Sequence, residues 1–156
     1  EMCIRDRLLG LTKQESRFSP TVSSVVGARG LMQLMPATAD EVAGRTLEPN
    51  ELNDPAFNIE LGATYLRQML NTWQNNPLLA IASYNAGPGA VNGWLTDELN
   101  HSPELWVERI PYPETRYYTK KVMDNVLRYS AEHPDRCEQP GSRDQMADPD
   151  STEQDG

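Results

Sequence analysis

The chain has 156 residues, which predicts a single domain, and its net charge of −9 argues against a basic nucleic-acid-binding surface. No apolar run approaches the roughly 20 residues needed to span a bilayer. More than half of the negative charge lies in residues 134–156, a segment with three prolines and almost no large apolar side chains. It cannot bury enough surface to offset the entropy lost on ordering, so we predict a disordered acidic tail.

The first residues of the chain match the translation of a laboratory adapter sequence. "EMCIRD" is encoded by GAG ATG TGT ATA AGA GAC, and the codons after the first match the end sequence of a transposon widely used to prepare sequencing libraries. We therefore predict that residues 1–7 derive from an adapter and that the domain spans residues 8–133. The alternative is an ordinary N-terminal run. If the adapter origin is right, the lack of a signal peptide carries no information on location. Cys3 would then be foreign, and Cys137 alone gives no disulfide framework.

The first helical pattern carries a glutamate on its apolar face. Leu8, Leu11 and Glu15 are spaced at i, i+3 and i+7 and therefore share one side of a helix. The helix should end near Phe18, because Pro20 forces the preceding residue out of the helical region.

The later helices are predicted to begin at prolines, which are favoured at the first helical position. These starts are Pro36, Pro55, Pro77 and Pro113. Asp54 is the expected N-cap of the second, and Gly44 is the expected stop of the first. Apolar residues with helical spacing follow Pro55 (Ile59, Leu66, Met69, Leu70, Trp73) and Pro113 (Tyr118, Val122, Val126, Tyr129).

The segment "PLLAIASY" is apolar on all sides, which predicts a central buried helix, and "NAGPGA" after it predicts a turn. No stretch alternates as a strand does. We therefore predict an all-α fold with no or minimal β structure.

Glu15 is the first candidate for chemistry. Burial and the negative end of the helix dipole would both raise the pKa of its carboxyl. A glutamate that stays protonated near neutrality is what a general acid requires. The simpler alternative is a solvated helix end.

Other polar residues have both a functional and a structural interpretation. Glu114 lies in a first helical turn, where the dipole favours a carboxylate; it either has a role different from that of Glu15 or only supports its helix. Tyr84 and Asn85 end the buried helix and either line a site or belong to a plain turn. Gln33 is an amide among apolar residues, and it pairs with either a ligand or the backbone.

We predict no metal and no cofactor. His101 and His133 stand alone, no Cys/His/Asp cluster has ligand spacing, and neither histidine has motif support as the base of a Ser–His pair.

Four blocks together resemble the catalytic domain of soluble-type lytic transglycosylases, which has a lysozyme-like, goose-type lysozyme-like fold. They occur in the expected order as "QESRFSP…SSVVGARGLMQLMPATA…ASYNAGPGAVNGW…WVERIPYPETRYYTKKVMDNVLRY". The resemblance covers about residues 8–130. Ser83 stands where alanine is usual. The last block is most similar to that of the large soluble enzymes, whose long upstream helical region is absent here, so we expect the chain to be a fragment.

The resemblance implies cleavage of peptidoglycan between N-acetylmuramic acid and N-acetylglucosamine, with Glu15 as the single acid and then base, and a 1,6-anhydro-muramic product. It places Tyr84 where its hydroxyl can stabilise the transition state, and Tyr118 where its ring can pack on a sugar. The substrate-binding positions that it implies are Ser24, Gln33, Met35, Tyr84, Asn85, Glu114 and Tyr118. The expected partner is the glycan strand, the expected state is a monomer, and the expected location is the periplasm or cell envelope.

Two other functions stay open at this point. A hydrolase similar to goose-type lysozyme would use water in place of the C6 hydroxyl. A catalytically silent glycan-binding module would bind without turnover, although the intact Glu15 argues against it.

Overall fold

The computed structural model describes residues 3–134, so the predicted acidic tail lies outside the described residues except for Pro134. This part of the chain is helical. The α-helices are α1 (Ile4–Ser16), α2 (Pro36–Ala43), α3 (Pro55–Thr72), α4 (Pro77–Ala86), α5 (Pro88–Asn92), α6 (Glu98–His101), α7 (Pro103–Glu108) and α8 (Pro113–Glu132), with one 3-10 helix at Glu51–Asn53. Across residues 3–134, strand pairing is limited to isolated bridges of Arg29 with Ser23 and with Leu34. The all-α prediction is confirmed.

The first helix begins earlier than the predicted domain boundary at residue 8. α1 starts at Ile4, and the buried Asp6 accepts a hydrogen bond from the hydroxyl of Ser130 at 2.9 Å. The packed body therefore includes residues that we assigned to an adapter. Their origin in an adapter stays a prediction.

Local capping chemistry sets the helix ends as predicted. The Asp54 carboxylate accepts from the backbone N–H of Phe57 at 2.7 Å, and Pro55 occupies the first position of α3. Gly44 ends α2 in the left-handed conformation, with φ 68°. α1 ends at Ser16, and Arg17 and Phe18 that follow both have positive φ.

The central position of α4 is also confirmed. Its residues 79–84 are all buried, and it packs against α3, α5 and α8. α1 lies along α8, where Gly10 permits close approach, because a Cβ at this position would come within 2.7 Å of Val126. Ser83 is fully buried in α4 and accepts a hydrogen bond from the indole Nε1 of Trp73 at 2.7 Å.

Two details differ from the sequence-based expectation. Ile59 is 42% exposed because it lies near the start of α3, where most residues are exposed, whereas Leu66, seven residues later on the same side of the helix, is buried. The turn predicted at "NAGPGA" is confined to Gly87, since Pro88 starts the short helix α5.

Candidate active site

A cleft of about 390 Å³ opens where four segments meet: the end of α1, the loop before α2, the end of α4 and the start of α8. All of the predicted site residues except Tyr118 line it, together with several that were not predicted. The predicted ones are Glu15, Ser24, Gln33, Met35, Tyr84, Asn85 and Glu114, and the others include Val26, Thr38, Tyr65 and Gly87.

Glu15 lies half-buried on the last turn of α1. The pKa of its carboxyl is raised from the ordinary 4.5 to about 7: burial is the largest cause, a hydrogen bond from Tyr118 acts in the opposite direction, and the negative charge of Glu114 raises the pKa further. Burial, one of the two causes predicted from the sequence, is the largest. Glu15 is therefore protonated in a large fraction of the molecules near neutral pH, as a general acid requires.

Tyr118 lies beneath the acid and not on the cleft wall. Its hydroxyl donates to Oε1 of Glu15 at 2.6 Å, and its side chain is only 5% exposed. The ring of Tyr118 belongs to the hydrophobic core, so little of it is accessible to a sugar, and its packing on a sugar stays a prediction. Tyr118 acts on the site through its hydroxyl, which stabilises the ionised form of Glu15 and fixes the position of the carboxyl.

Tyr84 faces the cleft from α4, but its hydroxyl already donates a hydrogen bond within the protein. It donates to the carbonyl oxygen of Met32 at 2.9 Å, and the ring packs at 5.0 Å on the ring of Tyr65. Burial, with smaller effects from Glu15 and Tyr65, raises the pKa of Tyr84 well above its usual range. Tyr84 is thus a neutral phenol that presents oxygen lone pairs, so the expected role of its hydroxyl as a donor would require its bond to Met32 to break.

The loop before α2 presents two polar side chains in fixed orientations. The Gln33 amide nitrogen donates to the carbonyls of Val22 and Gly30, both at 2.9 Å, so its Oε1 is the atom that can accept from a ligand. Gln33 has a left-handed backbone with φ 47°, a conformation that costs energy in a non-glycine residue and is found at functional sites. The Ser24 hydroxyl oxygen accepts from the backbone N–H of Ala28 at 3.0 Å, so its proton can be donated.

Asn85 at the end of α4 and Glu114 at the start of α8 also line the cleft. The hydroxyl of the buried Thr115 donates to Oδ1 of Asn85 at 2.7 Å. This bond orients the amide so that Nδ2 is the group that can donate to a ligand. Glu114 is exposed in the first turn of α8, as expected from the sequence.

Asn58 is the residue that sequence reasoning missed. It is fully buried in α3, its Oδ1 accepts from the N–H of Met32 at 2.8 Å, and its Nδ2 donates to the carbonyls of Arg29 and Leu52 at 3.0 Å. These bonds fix the loop that carries Gln33 and the carbonyl bound by Tyr84. An amide on the core face of a helix was the available signal, since a buried amide needs partners.

Within residues 3–134 no cluster of His, Cys, Asp and Glu could hold a metal ion. Over the same range no helix is both long enough and apolar enough to cross a membrane.

Comparison with known proteins gives a consistent result. The family model of the transglycosylase SLT domain matches residues 4–107. The chain is 41% identical over 130 residues to the soluble lytic murein transglycosylase of Escherichia coli K12, a match that covers 79% of this chain and 19% of that protein. It is 33% identical to the membrane-bound lytic murein transglycosylase F of Pseudoalteromonas translucida, over 78% of this chain and 30% of that one.

Solved structures agree with the sequence matches. A lytic transglycosylase Slt from Pseudomonas aeruginosa, solved as an inactive mutant, superposes with a TM-score of 0.76 at 41% identity, covering 83% of this chain and 22% of that chain. A 70-kDa soluble lytic transglycosylase solved with bulgecin A superposes with a TM-score of 0.75 at 35% identity. The match covers 84% of this chain and 22% of that chain. The lysozyme-like fold is confirmed. The chain spans about a fifth of the length of the soluble relatives that it matches.

Proposed function

This chain belongs to the transglycosylase SLT domain family, and on that premise we propose that it is a peptidoglycan lytic transglycosylase. The bond cleaved is the β-1,4 linkage between N-acetylmuramic acid and N-acetylglucosamine, and the product ends in 1,6-anhydro-muramic acid. The observation that supports this proposal is Glu15, a half-buried carboxyl with a pKa of about 7 at the floor of the cleft.

The reaction needs one group that gives a proton and then takes one back. Protonated Glu15 donates to the glycosidic oxygen as the bond from this oxygen to the muramic C1 breaks. The substrate's own N-acetyl group stabilises the positive charge that develops at C1. Ionised Glu15 then accepts the proton of the muramic C6 hydroxyl as its oxygen bonds to C1. Glu15 ends protonated, and no water is consumed.

The site favours this cycle because its environment suits both states of Glu15. Burial and the charge of Glu114 favour the protonated form before bond cleavage. The Tyr118 hydroxyl favours the carboxylate that forms afterwards. The Oε1 of Gln33 and the Nδ2 of Asn85 give the cleft an acceptor and a donor for sugar amides and hydroxyls.

Hydrolysis is the second candidate, because Glu114 is another carboxyl in the same cleft. An inverting glycosidase uses a second carboxylate about 6.5–9.5 Å from the acid to activate water. Glu114 would have to be that base, and its loss would then abolish cleavage as fully as the loss of Glu15.

The nature of the product separates these functions. We expect digestion of purified peptidoglycan to give muropeptides with 1,6-anhydro ends, lighter by one water than hydrolytic products when measured by mass spectrometry. Glu15→Gln is the matched control and should release nothing. Free reducing muramic ends as the main initial product would replace this proposal with a hydrolase, and binding without turnover would replace it with a glycan-binding module.

The substrate also determines the proposed setting. We place the chain in the periplasm or cell envelope, where peptidoglycan is found, and propose that it acts as a monomer on glycan strands.

A further inference from the structure

We propose that Trp94 and Tyr112 form a stacking platform that binds a pyranose ring of the glycan strand just outside the cleft. This inference rests on the proposed function, because it extends the same binding site by one position. Neither residue lines the cleft itself.

The two rings form a fixed and accessible pair. Their centroids lie 5.0 Å apart with an interplanar angle of 73°, the edge-to-face arrangement favoured by aromatic rings. Tyr112 is 53% exposed, so part of its ring is open to a ligand. The backbone on both sides is held: the Trp94 carbonyl accepts from Nε1 of Trp106 at 2.9 Å, and the Tyr112 carbonyl accepts from the N–H of Arg116 at 2.9 Å.

The platform continues one wall of the cleft. The Thr115–Asn85 hydrogen bond joins the start of α8 to the end of α4, and the ring pair joins the residue before α8 to Trp94, two residues after α5. Tyr112 precedes Glu114 by two residues, so their Cα atoms are at most about 7 Å apart. On the other segment, the short helix α5 leads from Gly87 in the cleft wall towards Trp94. A glycan strand that leaves the cleft past Gly87 and Glu114 would therefore reach the rings next.

The chemistry of the pair fits a sugar ring. An aromatic surface can pack against the apolar C–H groups of a pyranose while the sugar hydroxyls stay in water. A protein partner fits less well, because a stable interface buries about 800 Å² on each side and a single aromatic side chain provides at most about 250 Å².

Binding of short and long oligosaccharides tests the platform. In the Glu15→Gln background, which cannot cleave, we expect the hexamer of N-acetylglucosamine to bind more tightly than the trimer when both are measured by calorimetry. Tyr112→Ala should weaken hexamer binding by roughly 3- to 10-fold, the effect of losing one aromatic contact, and leave trimer binding unchanged. Tyr112→Phe should restore hexamer binding, because it keeps the ring.

Tyr117→Ala is the matched control, because Tyr117 on α8 is 59% exposed, lies five residues after Tyr112 and packs with Lys121 instead of Trp94. It should change neither affinity. Equal hexamer and trimer affinities in the parent, or a Tyr112→Ala effect of the same size on both oligomers, would overturn the platform while leaving the proposed function intact. If neither oligomer binds the Glu15→Gln protein, glycan binding itself is refuted and the platform with it.

Discussion

Replacing Glu15 by glutamine should make the protein more stable at alkaline pH while removing its activity. Burial, with the other groups around the site, raises the pKa of this carboxyl from 4.5 to about 7. One pKa unit corresponds to 1.36 kcal/mol, so keeping Glu15 ionised in the folded state costs up to about 3 kcal/mol. Glutamine has the same shape, cannot ionise and still offers an oxygen to Tyr118.

The sign of the pH dependence follows from proton binding. Between pH 4.5 and about 7 the folded protein holds a proton on Glu15 that the unfolded chain has released. The free energy of unfolding of the wild type therefore falls as pH rises through this range, and the full cost is present above pH 7. The variant does not lose this free energy, because glutamine cannot ionise. The two proteins should therefore have equal free energies of unfolding near pH 4, and the variant should become the more stable one as pH rises.

Thermal unfolding of both proteins from pH 4 to pH 8.5 measures this difference. At the alkaline end we expect the variant to melt higher by at most about 6–12 °C, the equivalent of 3 kcal/mol for a chain of this size. Glu60→Gln, at an exposed position on α3, should follow the wild type at every pH. A Tm difference that does not change with pH, or a variant that melts lower at pH 8, would refute the reasoning and indicate a structural carboxylate.

Three further substitutions test the surroundings of the acid. Tyr118→Phe removes a bond that lowers the pKa of Glu15, so the alkaline limb of the pH–rate profile should move above pH 7; an unmoved limb would contradict this role. Glu114→Gln removes a charge that raises the same pKa, so the limb should move to lower pH, with turnover only partly reduced and the anhydro product unchanged; complete loss of cleavage would favour a catalytic base. Asn58→Ala leaves the Met32 N–H without its partner and should cost at least about 2 kcal/mol in urea unfolding and raise KM; an unchanged midpoint would show that water replaces the amide.

Much of the helical framework could be predicted, because its determinants are local. A proline at a first helical position, the Asp54 carboxylate at an N-cap and a glycine at position 44 each act within a few residues, so the sequence is sufficient to place them. The elevated pKa of Glu15 was also predictable in direction. Its helix had to bury the side that carries Leu11, and the glutamate shares that side.

The contacts between distant segments could not be predicted. Periodicity indicates that α8 has an apolar face, but not that Tyr118 on this face meets Glu15 across 103 positions of sequence. The same limit explains Ile59: its spacing places it on the same side of α3 as the buried Leu66, but the packed core does not extend to its end of the helix. Spacing identifies residues that share a face, and only the packed neighbours decide how much of that face is buried.

The hydrogen bond between Glu15 and Tyr118 also has a consequence for folding order. It joins the first and last helices of the described chain, so it closes a long loop and can form only after α8 has docked on α1. Burial is the largest cause of the raised pKa of Glu15, and this burial is incomplete until α1 and α8 have packed together. A nascent or truncated chain that lacks α8 therefore contains Glu15 but lacks part of the environment that keeps this carboxyl protonated near neutral pH. The proposed general acid therefore exists only in the completed tertiary structure.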